Sequence, residues 1–217
     1  MDMVLGIDEA GRGPVIGPMV IAGVMVSEDK QEILRDMGIK DSKLLSPKRR
    51  EELYKEITKI ADKIAVVVIT PKDIDACLES ETSNLNWLEA DKTAELLNAA
   101  EPDRAYVDCP SNNAEAYRAY LANLLKKDIK LIVEHKADFK YSTSAAASVI
   151  AKVVRDREVA KIQKRFDEPI GSGYPSDPAT KKFLENHWKE DSGIFRKSWE
   201  SWKAIERKSG QKTLSDL

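Results

Sequence analysis

Short apolar runs alternate with longer amphipathic stretches along most of this chain. Val4 to Asp8 is an apolar run closing on acids, and Gly17 to Val26 is a second run rich in Val and Ile. Both read as buried strands joined by a Gly/Pro-rich turn. Ser46-Pro47 supplies an N-cap and a first-turn proline ahead of Leu53, Ile57 and Ile60, whose spacing predicts a helix to about Ala61. Ile64 to Ile69 is a β-branched run, and Thr70-Pro71-Lys72-Asp73 then reads as a capping box opening a short helix. Asn84 to about Ala100 and Ala114 to Leu125 read as helices, Arg104 to Asp108 and Leu131 to Glu134 as strands. From Tyr141 to Phe166 an Ala-, Lys- and Arg-rich stretch predicts the longest helix. Gly171 to Pro178 is a dense loop signal, followed by a helix near Ala179 to His187 and a charged tail carrying Trp188, Trp199 and Trp202. Strands and helices in this alternation predict an α/β layer fold with a mixed sheet and a C-terminal helical extension.

Composition narrows the classes without naming one. The 217 residues are 42% hydrophobic, enough for a real core in one domain with an appendage. A formal net charge of -2 means that any nucleic-acid binding must come from a local basic face. Two cysteines, Cys77 and Cys109, are too few for a disulfide framework and lack zinc spacing. Met1-Asp2-Met3-Val4 has no leader pattern and no apolar run approaches the ~18 residues of a membrane span. A soluble, cytoplasmic monomer is the expectation.

The chemistry sits in the acids. Three predicted strands end in them: Asp8-Glu9, Asp108, and Glu134 with Asp138. Acids at strand ends can converge above one sheet edge, where hard oxygen ligands suit Mg²⁺ or Mn²⁺. Two such ions about 4 Å apart stabilise the negative charge of a phosphodiester transition state. Neighbours on a strand face opposite ways, so Glu9 is expected past the strand end, re-aimed by the turn. Spacing alone leaves Glu134 and Asp138 as alternatives.

Six ordered blocks carry a resemblance. Gly6-Ile7-Asp8-Glu9-Ala10-Gly11-Arg12-Gly13-Pro14 with Gly17-Pro18 resembles the N-terminal signature of ribonuclease HII. Asp41-Ser42-Lys43 with Leu45-Ser46, Tyr106-Val107-Asp108, Glu134 through Asp138, Ala145 through Ser148 with Ile150-Ala151-Lys152, and Gly171 through Pro178 resemble the family's other blocks in order. The match spans nearly the whole chain and looks most like the archaeal branch. It implies a ribonuclease H-like mixed five-stranded sheet, with a catalytic domain over 1–178 and a C-terminal helical subdomain and tail over 179–217. It implies that Asp8, Glu9, Asp108 and Asp138 bind the metal and catalyse, choosing Asp138 over Glu134. The implied reaction is hydrolysis of the RNA strand of RNA·DNA hybrids, including 5′ of single ribonucleotides embedded in duplex DNA, giving 3′-hydroxyl and 5′-phosphate ends.

Such an enzyme must sense a 2′-hydroxyl. Gly11 and Gly13 let backbone groups approach a sugar closely, with Arg12 between them, and Tyr174 in its Gly/Pro loop is similar to the family's tyrosine at the RNA–DNA junction. Lys43, Lys136, Lys152 and Arg155 are candidates for phosphate contacts. Between Thr180 and Thr213 nine Lys and Arg, among them Arg196 and Lys197, face five acids, a mildly basic tail that could lie along DNA. Its tryptophans read as packing anchors, and His135 and His187 as structural. Gln211 to Leu217 resembles the peptide by which replication enzymes dock on the sliding clamp, through Gln211, Leu214 and Leu217, with Leu217 where an aromatic residue is usual. The alternatives are a catalytically inactive duplex- or clamp-binding protein of the same fold, an actin-like-fold phosphotransferase, and a Holliday-junction resolvase. The first would lack one of the four acids, the second would need further phosphate loops, and the third would lack Gly11-Arg12-Gly13 and Tyr174.

Overall fold

Every strand that the apolar runs mark becomes part of one sheet. The structure is a computed structural model describing residues 1–39, 45–190 and 192–215, with side chains to residue 209. In chain order the elements are β1 (Met3–Ala10), β2 (Met19–Ser27), a 3₁₀ turn (Glu28–Lys30), α1 (Gln31–Asp36), α2 (Pro47–Ile60), β3 (Lys63–Ile69), α3 (Pro71–Glu79) and α4 (Leu85–Ala100). These are followed by β4 (Arg104–Asp108), α5 (Ala114–Asn123), β5 (Lys130–Glu134), α6 (Ala137–Lys140), α7 (Ser142–Gln163), α8 (Pro178–His187) and α9 (Glu200–Ser215). The α1 turn and α6 have no sequence forecast: each is too short to show a periodicity.

The local start signals are realised as drawn. Ser46 accepts from the Arg49 N–H at 3.2 Å ahead of α2, and Thr70 and Asp73 exchange both bonds of the capping box ahead of α3.

Two compact units form. The first comprises Met1–Ala10, Val20–Val68 and Leu85–Val154; the second comprises Gly11–Met19, Ile69–Asn84 and Arg155–Leu217. The sheet order is β3-β2-β1-β4-β5, five strands. β1 runs antiparallel to β2 and parallel to β4, and β4 runs parallel to β5, so the sheet is mixed. In the first unit α7 lies against the middle of the sheet. A Cβ on Gly6 of β1 would stand 2.1 Å from the backbone of Thr143 and Ser144, so only glycine lets that helix approach so closely. Ala145, Ala146, Ala147 and Ala151 keep α7 thin where it is buried, and with Val20, Val24, Val26, Leu53 and Ile57 they form one apolar core. The second unit has a core of its own, built from Val15, Ile16, Ile170, Phe183, Leu184, Ile194, Phe195 and Trp202.

Candidate active site

Register brings two acids abreast. Ile7 pairs with Val107 in parallel, and the next residue on each strand is an aspartate, Asp8 on β1 and Asp108 on β4. Glu9 joins them: one carboxylate oxygen from each of Asp8, Glu9 and Asp108 lies within 4.8 Å of the others. Glu9 is not past the strand as expected. It lies inside β1, paired with Ile21. The short Asp8 side chain leans along the strand toward Glu9, whose N–H donates to Asp8 Oδ1 at 2.8 Å.

Asp8 is only 5% exposed, and its pKa is pushed up to about 6, above all by burial. Lys152 and a hydrogen bond from Ser148, both on α7, oppose that rise, while the neighbouring Asp108 charge adds to it. Ser148 and Lys152 stand one helical turn apart, and Lys152 Nζ donates to Ser148 Oγ at 2.5 Å. Lys152 is thus held near Asp8, whose charge it offsets. Asp108 is fixed from its other side: its Oδ1 accepts from the Ala137 N–H at 2.8 Å. That bond depends on Lys136, a non-glycine residue in the left-handed region at φ 58, which turns the chain from β5 into α6 and leaves its own side chain exposed.

Glu134 and Asp138, the alternatives left by spacing, separate here. Glu134 forms an ion pair with Lys140, which lowers its pKa. Asp138 follows Ala137 in α6, half-buried, and lies in the wall of a cleft of about 570 Å³ with Tyr106, Tyr141 and Arg104. Among the described residues it is not one of the acids gathered within 4.8 Å. Sequence reading missed Glu89, an acid on α4 that is only 2% exposed; burial above all raises the pKa of Tyr117 and Cys109, and the charges of Glu89 and Glu9 add to that rise. Its signal is faint, since nothing near it in the sequence marks a site.

In the second unit the glycine loop and Tyr174 meet. A Cβ on Gly13 would stand 3.3 Å from the Tyr174 ring, which is 41% exposed. Gly11 has φ +86, and a Cβ there would lie 2.5 Å from the Arg155 side chain. Arg155 is 7% exposed, its guanidinium 5.5 Å from the Tyr174 ring centroid and donating to the Ser172 carbonyl at 3.1 Å, so it supports Tyr174 from within instead of meeting solvent. Asp177, inside the Gly171–Pro178 block, and Thr180, just beyond it, shape the tyrosine loop. Asp177 accepts from the Ser172 and Ala179 N–H groups, which hold its carboxyl below the usual range, and Thr180 Oγ1 accepts from the Gly173 N–H at 2.9 Å. Arg196 is fully buried and so withdrawn from the basic face expected of the tail. Lys43 and Leu217 lie outside the described residues; Gln211 and Leu214 fall within the backbone of α9.

The family model for ribonuclease HII matches residues 5–202. The chain belongs to the ribonuclease HII family. As a member of it, the chain is an endonuclease of the ribonuclease H type acting on RNA strands. It is 44% identical over 218 residues to ribonuclease HII of Pyrococcus furiosus, covering 96% of this chain and 95% of that one. The crystal structure of ribonuclease H2 from Pyrococcus horikoshii is similar at a TM-score of 0.87 and 43% identity, covering 95% and 98% of the two chains. A structure of the PCNA:RNase HII complex from Archaeoglobus fulgidus has a chain similar at a TM-score of 0.83 and 40% identity, covering 91% and 95%. No helix among the described residues is long and apolar enough to cross a membrane.

Proposed function

We propose that the enzyme incises duplex DNA on the 5′ side of even a single embedded ribonucleotide, as well as RNA·DNA hybrids, leaving 3′-hydroxyl and 5′-phosphate ends. The observation that carries this reading is the meeting of Gly13 with the exposed Tyr174 ring. A flat ring beside a glycine that carries no side chain offers stacking for a sugar or base and backbone groups for a 2′-hydroxyl. The hydroxyl of one ribose is enough for such a site, so a long RNA tract is not needed.

The chemistry is assigned to Asp8, Glu9, Asp108 and Asp138 as ligands of Mg²⁺ or Mn²⁺. The donor set fits: three hard oxygens converge, and the burial of Asp8 beside Asp108 leaves a surplus of negative charge that a divalent cation would balance. Bound there, two such ions would stabilise negative charge on the attacking and leaving oxygens. Around them, the Ala137 N–H keeps Asp108 turned inward and Ser148 and Lys152 keep Asp8 ionised. Lys136 and Lys43 are proposed phosphate contacts, with Arg12 beside the ribose.

With Mg²⁺ or Mn²⁺, purified protein should cut a duplex carrying one ribonucleotide, and Asp108→Asn should lower that rate by at least about a thousandfold. A wild type inactive on this duplex with either metal overturns the reading. Asp138→Asn should behave as Asp108→Asn does; retained activity would remove Asp138 from the ligand set.

A second reading concerns the tail. The C-terminal stretch through Gln211, Leu214 and Leu217 is proposed to dock on a sliding clamp, because it resembles a clamp-binding peptide and a relative at 40% identity has been solved in a complex named for PCNA. Removal of residues 210–217 should abolish co-elution with the clamp while leaving cleavage of short duplexes within about twofold. Unchanged co-elution rejects this reading.

A further inference from the structure

The glycine loop takes its shape from a distant arginine. Arg196 is 0% exposed, and its guanidinium reaches three backbone carbonyls: Nη2 donates to Gly11 at 2.6 Å, Nη1 to Arg12 at 2.9 Å and Nε to Gly17 at 3.0 Å. Trp199, whose ring lies 4.8 Å from that guanidinium, donates Nε1 to the Gly13 carbonyl at 3.0 Å. The carbonyls of all three residues of Gly11-Arg12-Gly13 are thereby held by two side chains.

Peptide planarity turns this into a statement about donors. In a trans peptide the N–H points opposite to the C=O of the same unit, and no cis bond occurs among the described residues. With the Gly11 and Arg12 carbonyls drawn to the guanidinium, the N–H groups of Arg12 and Gly13 are directed to the other side of the loop. Gly13, on that stretch, is exposed and adjoins the Tyr174 ring. Burying a guanidinium is costly, and lysine, with one nitrogen where this site uses three, could not reproduce the fork.

We propose that Arg196, assisted by Trp199, is a positioning residue for substrate selection, fixing the peptide planes with which the Gly11–Gly13 loop recognises a ribose hydroxyl. This rests on the reading of that loop given above. The rival role is that Arg196 merely fills the core of its unit.

The test compares binding of two duplexes in Ca²⁺, one all-DNA and one with a single ribonucleotide, by competition anisotropy on the full chain. The wild type should favour the ribonucleotide duplex about fivefold, the weight of one hydrogen bond. Arg196→Lys and Trp199→Phe should each bring that ratio toward one while changing the all-DNA affinity by less than about twofold. Equal weakening of both duplexes, or an unchanged ratio, overturns the proposal and leaves Arg196 as core packing. A wild-type ratio of one would instead sink the loop's role as a ribose reader, and this proposal with it. Trp199→Phe keeps an aromatic ring on the same backbone while removing the indole donor along with part of its bulk, so it decides the matter if Arg196→Lys does not fold.

Discussion

Asp8 bears the electrostatic strain of the site. Its pKa of about 6 exceeds the ordinary aspartate value of 3.8, with burial as the main cause. Below 3.8 the group is neutral whether the chain is folded or not, and above about 6 it is charged in both; the folding penalty therefore grows as pH rises through that window and is complete at neutral pH. The gap corresponds to a penalty on the order of 2–3 kcal/mol in the metal-free chain. Asp8→Asn should accordingly melt higher than wild type in EDTA at pH 7.5, with the advantage vanishing toward pH 4, and should not cleave. A variant less stable at pH 7.5 would contradict the burial account. At this scale the sequence was informative about Asp8 and Asp108, because each follows an apolar run. It was silent on Arg196, counted there among the cations of a basic tail. Composition registers the charge but not the burial, and a fully buried arginine is rare enough that no local pattern suggests it.

Among the elements, those with local signals were legible: the caps at Ser46 and Thr70, the long α7, the five strands. Strand order was not, since pairing of β1 with β4 joins residues about a hundred positions apart and leaves no periodic trace. The contact of β1 with α7 is a further case, for Gly6 reads as part of a motif while its role is to admit a helix backbone. Gly6→Ala should destabilise the protein by about 3 kcal/mol or more, measured by urea unfolding, because the added carbon meets main chain that cannot rotate away. The end of α8 carries a milder dependence on pH. His187 sits between Glu168 and Glu190, and its pKa is raised first by the Glu168 hydrogen bond. Its contribution is fully present below the ordinary value of 6.5 and is lost as pH rises through the elevated one. The melting-temperature gap between wild type and His187→Gln should thus be wider at pH 6 than at pH 9; a gap independent of pH would show that the ion pairs add nothing.

For the molecule as a whole, the tail is less of an appendage than its position suggests. Ile194, Phe195 and Trp202 belong to the second core, the Gly17 N–H donates to the Ile194 carbonyl at 2.8 Å, and Ile16 bridges to Phe195. A chain ending at residue 191 is expected to lack cooperative melting, whereas one ending at 209 should melt near the wild-type temperature; circular dichroism would show either. The net charge of -2 also means that attraction for a duplex must be local.

The bond from Arg196 to Gly11 spans 185 positions of sequence. Synthesis proceeds from the N-terminus, so the strands that carry Asp8 and Asp108 are complete long before residue 196 exists. A nascent or prematurely terminated chain can therefore possess its acids while the Gly11, Arg12 and Gly17 carbonyls still lack the guanidinium that holds them; under the proposal above, recognition of a ribose would be the last property the growing chain acquires.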